Sequence, residues 1–124
     1  MSTETNEQHH DIFGEELTLT DDQREIYTKL KEKHKKVHIL KVPLDDGDTK
    51  HAVLFLKPLD RPSYSAISKL SAKDSMQGCE LLINTLWVGG DDKELVTKDF
   101  EALLAADFMC GSLMQPRRAQ LKKN

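Results

Sequence analysis

Two β-rich runs, 37–43 (VHILKVP) and 51–57 (HAVLFLK), constrain this chain more than any other feature. Between them lies Asp45-Asp46-Gly47-Asp48, residue types that favour tight turns, so the runs are expected to pair as a β-hairpin. The second run is apolar on both faces at Val53, Leu54, Phe55 and Leu56. A strand of that kind needs cover on each side, which the rest of the chain can supply only as helices.

Four helices follow from periodicity and capping. Thr20 followed by Asp21 and Asp22 offers a capping hydroxyl and then acids for the positive end of the helix dipole. Ile26, Tyr27, Leu30 and His34 then share one face, which predicts a helix over about 21–35. Pro58 ends the hairpin, and Asp60-Arg61-Pro62 starts a short helix over 62–71 carrying Tyr64, Ile67 and Leu70. Asp74 or Ser75 caps a longer helix with Met76, Cys79, Leu82, Ile83, Leu86 and Trp87 at core spacing, stopped by the turn-forming Gly89-Gly90. The last helix starts near Thr97, takes Phe100, Leu103, Leu104 and Phe108 as its core stripe, and ends by Gly111. The fold class expected is α+β: a two-stranded antiparallel hairpin packed against a small bundle of about four helices.

The 124 residues suffice for one domain, and 38% hydrophobic content leaves part of the length outside a core. The division expected is a flexible acidic arm over 1–19, a single α+β domain over 20–111 and a basic arm over 112–124. Acids crowd the first 25 residues (Glu4, Glu7, Asp11, Glu15, Glu16, Asp21, Asp22, Glu25, against Arg24 alone). Bases close the chain at Arg117, Arg118, Lys122 and Lys123. A net charge of −3 makes a nucleic-acid binder unlike this chain, and the lysine run 29–36 (KLKEKHKK) reads as a solvated helix face. No apolar run approaches the roughly 18 residues of a membrane span, and no signal peptide opens the sequence, so a soluble intracellular protein is expected. Cys79 and Cys110 sit among apolar neighbours and read as reduced core thiols.

The chemistry-bearing residues do not assemble into a catalytic or cofactor motif. His9-His10, His34, His38 and His51 lack the spacing of metal ligands, and there is no CxxC or HxxxH pair. There is no G-x-S-x-G elbow, and Ser63, Ser65 and Ser68 fall on the surface of a short helix. Gly89-Gly90-Asp91-Asp92 lacks both the Lys-Ser/Thr of a phosphate loop and the alternating acids of a calcium loop, so it reads as a turn. The expectation is a non-enzyme without cofactor or metal.

The stretch 103–121 (LLAADFMCGSLMQPRRAQL) carries more apolar residues than one core stripe needs, broken by Gly111 and Pro116. It either folds back on the domain or serves as a docking arm, with adaptable methionines and flanking arginines. On the second reading the protein-binding residues are Phe108, Met109, Leu113, Met114, Arg117 and Arg118.

The order of motifs also carries a family likeness. A strand running into FLKPLDRPSYSAISKL (55–70) is followed by ELLINTLWVGGDDKEL (80–95) and an acidic-apolar helix. That order resembles the small tail assembly chaperones of tailed bacteriophages and related prophages. There, a strand ending in Lys-Pro or Arg-Pro feeds a helix with an early Tyr, and a Leu-Leu-x-x-x-Leu-Trp helix leads into Gly-Gly-Asp. The likeness covers roughly 37–105. It implies a non-enzymatic protein in the cytoplasm of a host bacterium that coats the tape-measure protein and presents it to tail-tube subunits. The N-terminal helix with its lysine run has no counterpart in that likeness. A minor structural protein retained in a virion or other large assembly, or an oligomer of this chain, is therefore the alternative.

Overall fold

A computed structural model describes residues 9–10, 16–17, 19–47 and 49–114. Ten elements follow in order: β1 (His9–His10), β2 (Glu16–Leu17), α1 (Asp21–His34), β3 (His38–Pro43), β4 (His51–Leu56), α2 (Arg61–Lys73), α3 (Ser75–Leu86), β5 (Trp87–Gly90), α4 (Glu94–Thr97) and α5 (Phe100–Met114). The acidic arm expected over 1–19 lies mostly outside the described residues; within it, β1 and β2 form a two-residue antiparallel ladder. Asp48 and the segment 115–124, with Arg117 and Arg118, also lie outside them.

The fold is α+β, as the sequence indicates, but the sheet has three strands in the order β3-β4-β5. The hairpin pairs antiparallel from His38↔Leu56 to Pro43↔His51. Asp45 organises its turn by accepting hydrogen bonds from the Thr49 N–H (2.8 Å), the Lys50 N–H (3.2 Å) and the Thr49 hydroxyl.

The third strand corrects the expectation that the Trp87 segment ends a helix. α3 stops at Leu86, the Trp87 N–H still bonds the Ile83 carbonyl, and Trp87 then turns extended (φ −61°, ψ 128°). β4 has an open row of backbone donors and acceptors on the edge away from β3, and 87–90 fills it with Leu54↔Gly90, Phe55↔Gly89 and Leu56↔Trp87. The register slips between Phe55 and Leu56, leaving Val88 as an extra residue opposite them. Two glycines make this strand possible. Gly90 has φ +96°, and a Cβ there would run into the Val53 carbonyl. A Cβ on Gly89 would lie 2.9 Å from Leu30 Cδ1, so its absence lets α1 settle on β5.

As the central strand, β4 is buried on both faces. Leu40, Val42, Ala52, Leu54 and Leu56 face the main core with Ile67 of α2, Leu82, Ile83 and Leu86 of α3, Val96 of α4 and the buried side of α5. Ile39, Val53 and Phe55 face the other way with Leu19 and Val37, under Tyr27 and Leu30 of α1. The Tyr27 and Phe55 rings meet at 5.8 Å, tilted by 48°. α1 begins with a reciprocal capping box, the Gln23 N–H donating to Thr20 Oγ1 and the Thr20 N–H to Gln23 Oε1. Its lysines are exposed, a solvated face over a thin apolar one.

Candidate functional site

α5 decides which surface this protein offers. It starts on Asp99, whose carboxylate accepts from the Glu101 N–H at 3.1 Å, and it runs past Gly111 to Met114. Gly111 does not stop it as expected: a Cβ there would meet no other atom within 4 Å, and a glycine inside an exposed helical turn costs only about 1 kcal/mol. Residues 112–114 are therefore helical.

The expected core stripe is corrected as well. The buried side of α5 is Ala102, Leu103, Ala106 and Cys110; the small side chains of Ala102, Ala106 and Cys110 allow close packing on the sheet and on α3. Of the four residues expected to be core, Leu103 alone is. Phe100 is 70% exposed, Leu104 52% and Phe108 79%. At about 100° per residue, positions 100, 104 and 108 fall together on the side opposite 102, 106 and 110. They form an outward apolar stripe along three turns. The carboxylates of α5 are Glu101, which is exposed, and Asp107, which is half-buried, and the helix carries no lysine or arginine among its described residues. Leu95 on the neighbouring α4 is also exposed.

The residues singled out for protein binding divide accordingly. Phe108 belongs to the outward stripe, whereas Met109, Leu113 and Met114 are partly buried and pack against the main core. Arg117 and Arg118 lie outside the described residues. Phe100 and Leu104 complete the stripe, and their role was hidden by the apolar residues on every side of α5.

Beside the inward edge of α5 is a groove of about 340 Å³ between α2, α3 and α5. Tyr64, expected on the buried face of α2, instead stands 44% exposed at its wall. The Ser75 hydroxyl donates to Asp107 Oδ2 at 2.6 Å, tying the start of α3 to α5 at the rim. Cys79 and Cys110 lie in its floor with Leu82. Their sulfurs are 3.0 Å apart, and that mutual hydrogen bond, with burial, pushes the Cys110 thiol far above the usual range.

The remaining polar candidates are dispersed. His38 and His51 stand at opposite ends of the β3–β4 ladder, and His34 at the end of α1. Among the described residues no three His, Cys, Asp or Glu side chains gather to hold a metal ion. Gly89-Gly90 belongs to β5, and Asp91 is spent on the sheet, where its carboxylate accepts from the Val53 N–H at 2.8 Å. The lysines of the 29–36 run are exposed, Lys29, Lys31 and Lys33 on α1 and Lys35 and Lys36 just beyond it, with Lys31 Nζ 5.7 Å from the centre of the Tyr27 ring. Among the described residues no helix is long and apolar enough to cross a membrane. Comparison with family models, with curated proteins and with solved structures finds no match for this chain.

Proposed function

We propose that this chain is a non-enzymatic assembly protein that works by binding other proteins through the outer face of α5. The observation that carries the reading is the stripe of Phe100, Leu104 and Phe108, three large apolar side chains more than half exposed on one helix face. Leaving such a stripe in water has no benefit for the isolated fold, and exposed apolar area of this kind is characteristic of binding surfaces. Residues spaced by four on a helix suit a helical partner, whose own apolar ridge can lie along them.

The motif order along 37–105 gives that surface its context: a tail assembly chaperone of the tailed-phage type, acting in the cytoplasm of a host bacterium. The partner is a tape-measure protein, long and helical, handed on to tail-tube subunits. Weak repeated contacts by a shallow apolar ridge suit a protein that must coat such a chain and then leave it. Co-expression with candidate tape-measure and tail-tube proteins tests this. Increased solubility or co-purification of either is expected, and neither occurring in any pairing defeats the chaperone reading.

Helix α1 with its lysine run lies outside the family likeness, and this supports a second reading, a minor structural component retained in a virion or other large assembly. Such a protein would be present at fixed stoichiometry in purified particles, from which a chaperone is absent.

A further inference from the structure

Cys79 on α3 and Cys110 on α5 are separated by 31 positions in sequence, yet their sulfurs stand 3.0 Å apart. A disulfide needs about 2.05 Å, so the pair is short of a bond by about 1 Å, a distance that side-chain rotation and slight helix adjustment can close. Both residues are buried, at 2% and 3% exposure. Burial does not isolate them, because both line the floor of the 340 Å³ groove between α2, α3 and α5, which has room for a molecule the size of a peroxide. Ile67, Leu82 and Met114 also line the groove, and Asp107 and Ser75 are bonded to each other at its rim.

We propose that Cys79 and Cys110 are a modification site, forming an intramolecular disulfide that joins α3 to α5 when the protein meets hydrogen peroxide. One thiol loses its proton, and its sulfur attacks a peroxide oxygen. The O–O bond breaks, and the departing hydroxide takes up the released proton as water, leaving a sulfenic acid. The second sulfur attacks the sulfenic sulfur, the S–S bond forms and the S–O bond breaks. The hydroxide so released takes the second thiol's proton. Two thiols and one peroxide thus give one disulfide and two waters, with two electrons passing from sulfur to oxygen.

The same geometry makes the modification slow to start and selective once begun. Burial disfavours the thiolate form that attacks peroxide, so the first oxidation is the slow step. The partner sulfur is already in contact, so the sulfenic acid is captured before further oxidation or attack by another molecule. The cross-link closes a loop holding α4, β5 and most of α5, and it holds α5 on the core from the side opposite its outward stripe. It is a property of this thiol pair and is independent of which partner the stripe binds.

The test uses the full chain, oxidised with a small excess of hydrogen peroxide, unfolded, treated with a thiol alkylator and weighed intact. The expected product is a monomer lighter by two hydrogens that takes up no alkylator, yields a proteolytic fragment linking 79 to 110, and reverts with dithiothreitol. Its thermal midpoint rises by on the order of 10 °C relative to the reduced chain. Oxygen-adduct masses without the two-hydrogen loss, cross-linked dimers as the main product, or two thiols still free to alkylate after oxidation would each overturn the proposal. In Cys79→Ala and Cys110→Ala the internal cross-link is impossible, and the remaining thiol should accumulate oxygen adducts or dimers. The wild-type mass and fragment map decides the matter even if either variant folds poorly.

Discussion

Asp91 holds Val53 twice: the Val53 N–H donates to Asp91 Oδ2 at 2.8 Å, and the Asp91 N–H donates to the Val53 carbonyl at 2.9 Å. A side chain thus continues the β4–β5 ladder beyond Gly90. The Asp91 carbonyl in turn accepts from Trp87 Nε1 at 3.0 Å, so one residue finishes the edge strand and orients the only tryptophan. Asp91→Ala leaves a partly buried N–H of the central strand without its acceptor, at a cost of about 1.5–2 kcal/mol. Asp91→Asn keeps an acceptor oxygen and should cost less than about 1 kcal/mol. Urea unfolding of the two variants checks the order, and equal losses would show that the charge alone matters.

Two helical glycines should respond in opposite directions to the same change. A Cβ on Gly78 would lie 2.9 Å from Ser71 Cα and clash with the Ser71 side chain, because α2 and α3 meet backbone to backbone there. Gly78→Ala is expected to lose about 1–2 kcal/mol despite the better helix former. Gly111→Ala enters open space on α5 and should gain about 0.5–1 kcal/mol. Thermal midpoints moving apart by several degrees would bear this out.

Lys35 ends α1 at φ 65°, where the Lys36 N–H closes a tight turn on the His34 carbonyl at 2.7 Å. A side chain is strained at that angle and glycine is not. Lys35→Gly is expected to stabilise the fold by about 1 kcal/mol, read as a shift of the denaturant midpoint at constant slope.

Stability should fall in two acid steps. Burial, assisted by the nearby Lys36 charge, holds His38 below its usual 6.5, so the unfolded chain takes up this proton first. Unfolding free energy therefore decreases as pH drops from 6.5 toward the depressed folded value, and His38→Gln should flatten that step. Asp60 and Asp45 are held below their usual 3.8 chiefly by the Ser63 and Thr49 side-chain hydrogen bonds. Their contribution is complete above pH 3.8 and is lost as pH falls through their folded values. A chemical-unfolding series from pH 7 to pH 2 follows both losses.

The outward stripe should be separable from the fold. Phe100→Ser with Leu104→Ser removes apolar surface that is already in water, so the thermal midpoint should shift little while partner capture is lost. Leu103→Ser on the buried side should cost about 3 kcal/mol or more. A double variant that unfolds as readily as Leu103→Ser would return the stripe to the core.

Local signals in the sequence determined most of the elements. Thr20, Asp60 and Asp74 cap α1, α2 and α3 as their side chains suggest, and the doubly apolar 51–57 run is the central strand with helices on both sides. These features depend on neighbours within a few residues or on alternation along one strand, which a sequence displays directly. Tertiary structure alone decided three others. Trp87–Gly90 is a strand because β4 had an unpaired edge, a fact about another part of the chain. α5 buries its small residues and exposes Phe100, Leu104 and Phe108 because close packing on the sheet and α3 favours alanine and cysteine there; with apolar side chains all round the helix, periodicity could not choose a face. Cys79 and Cys110 meet because α3 packs on α5, across a separation of 31 positions that no local pattern encodes.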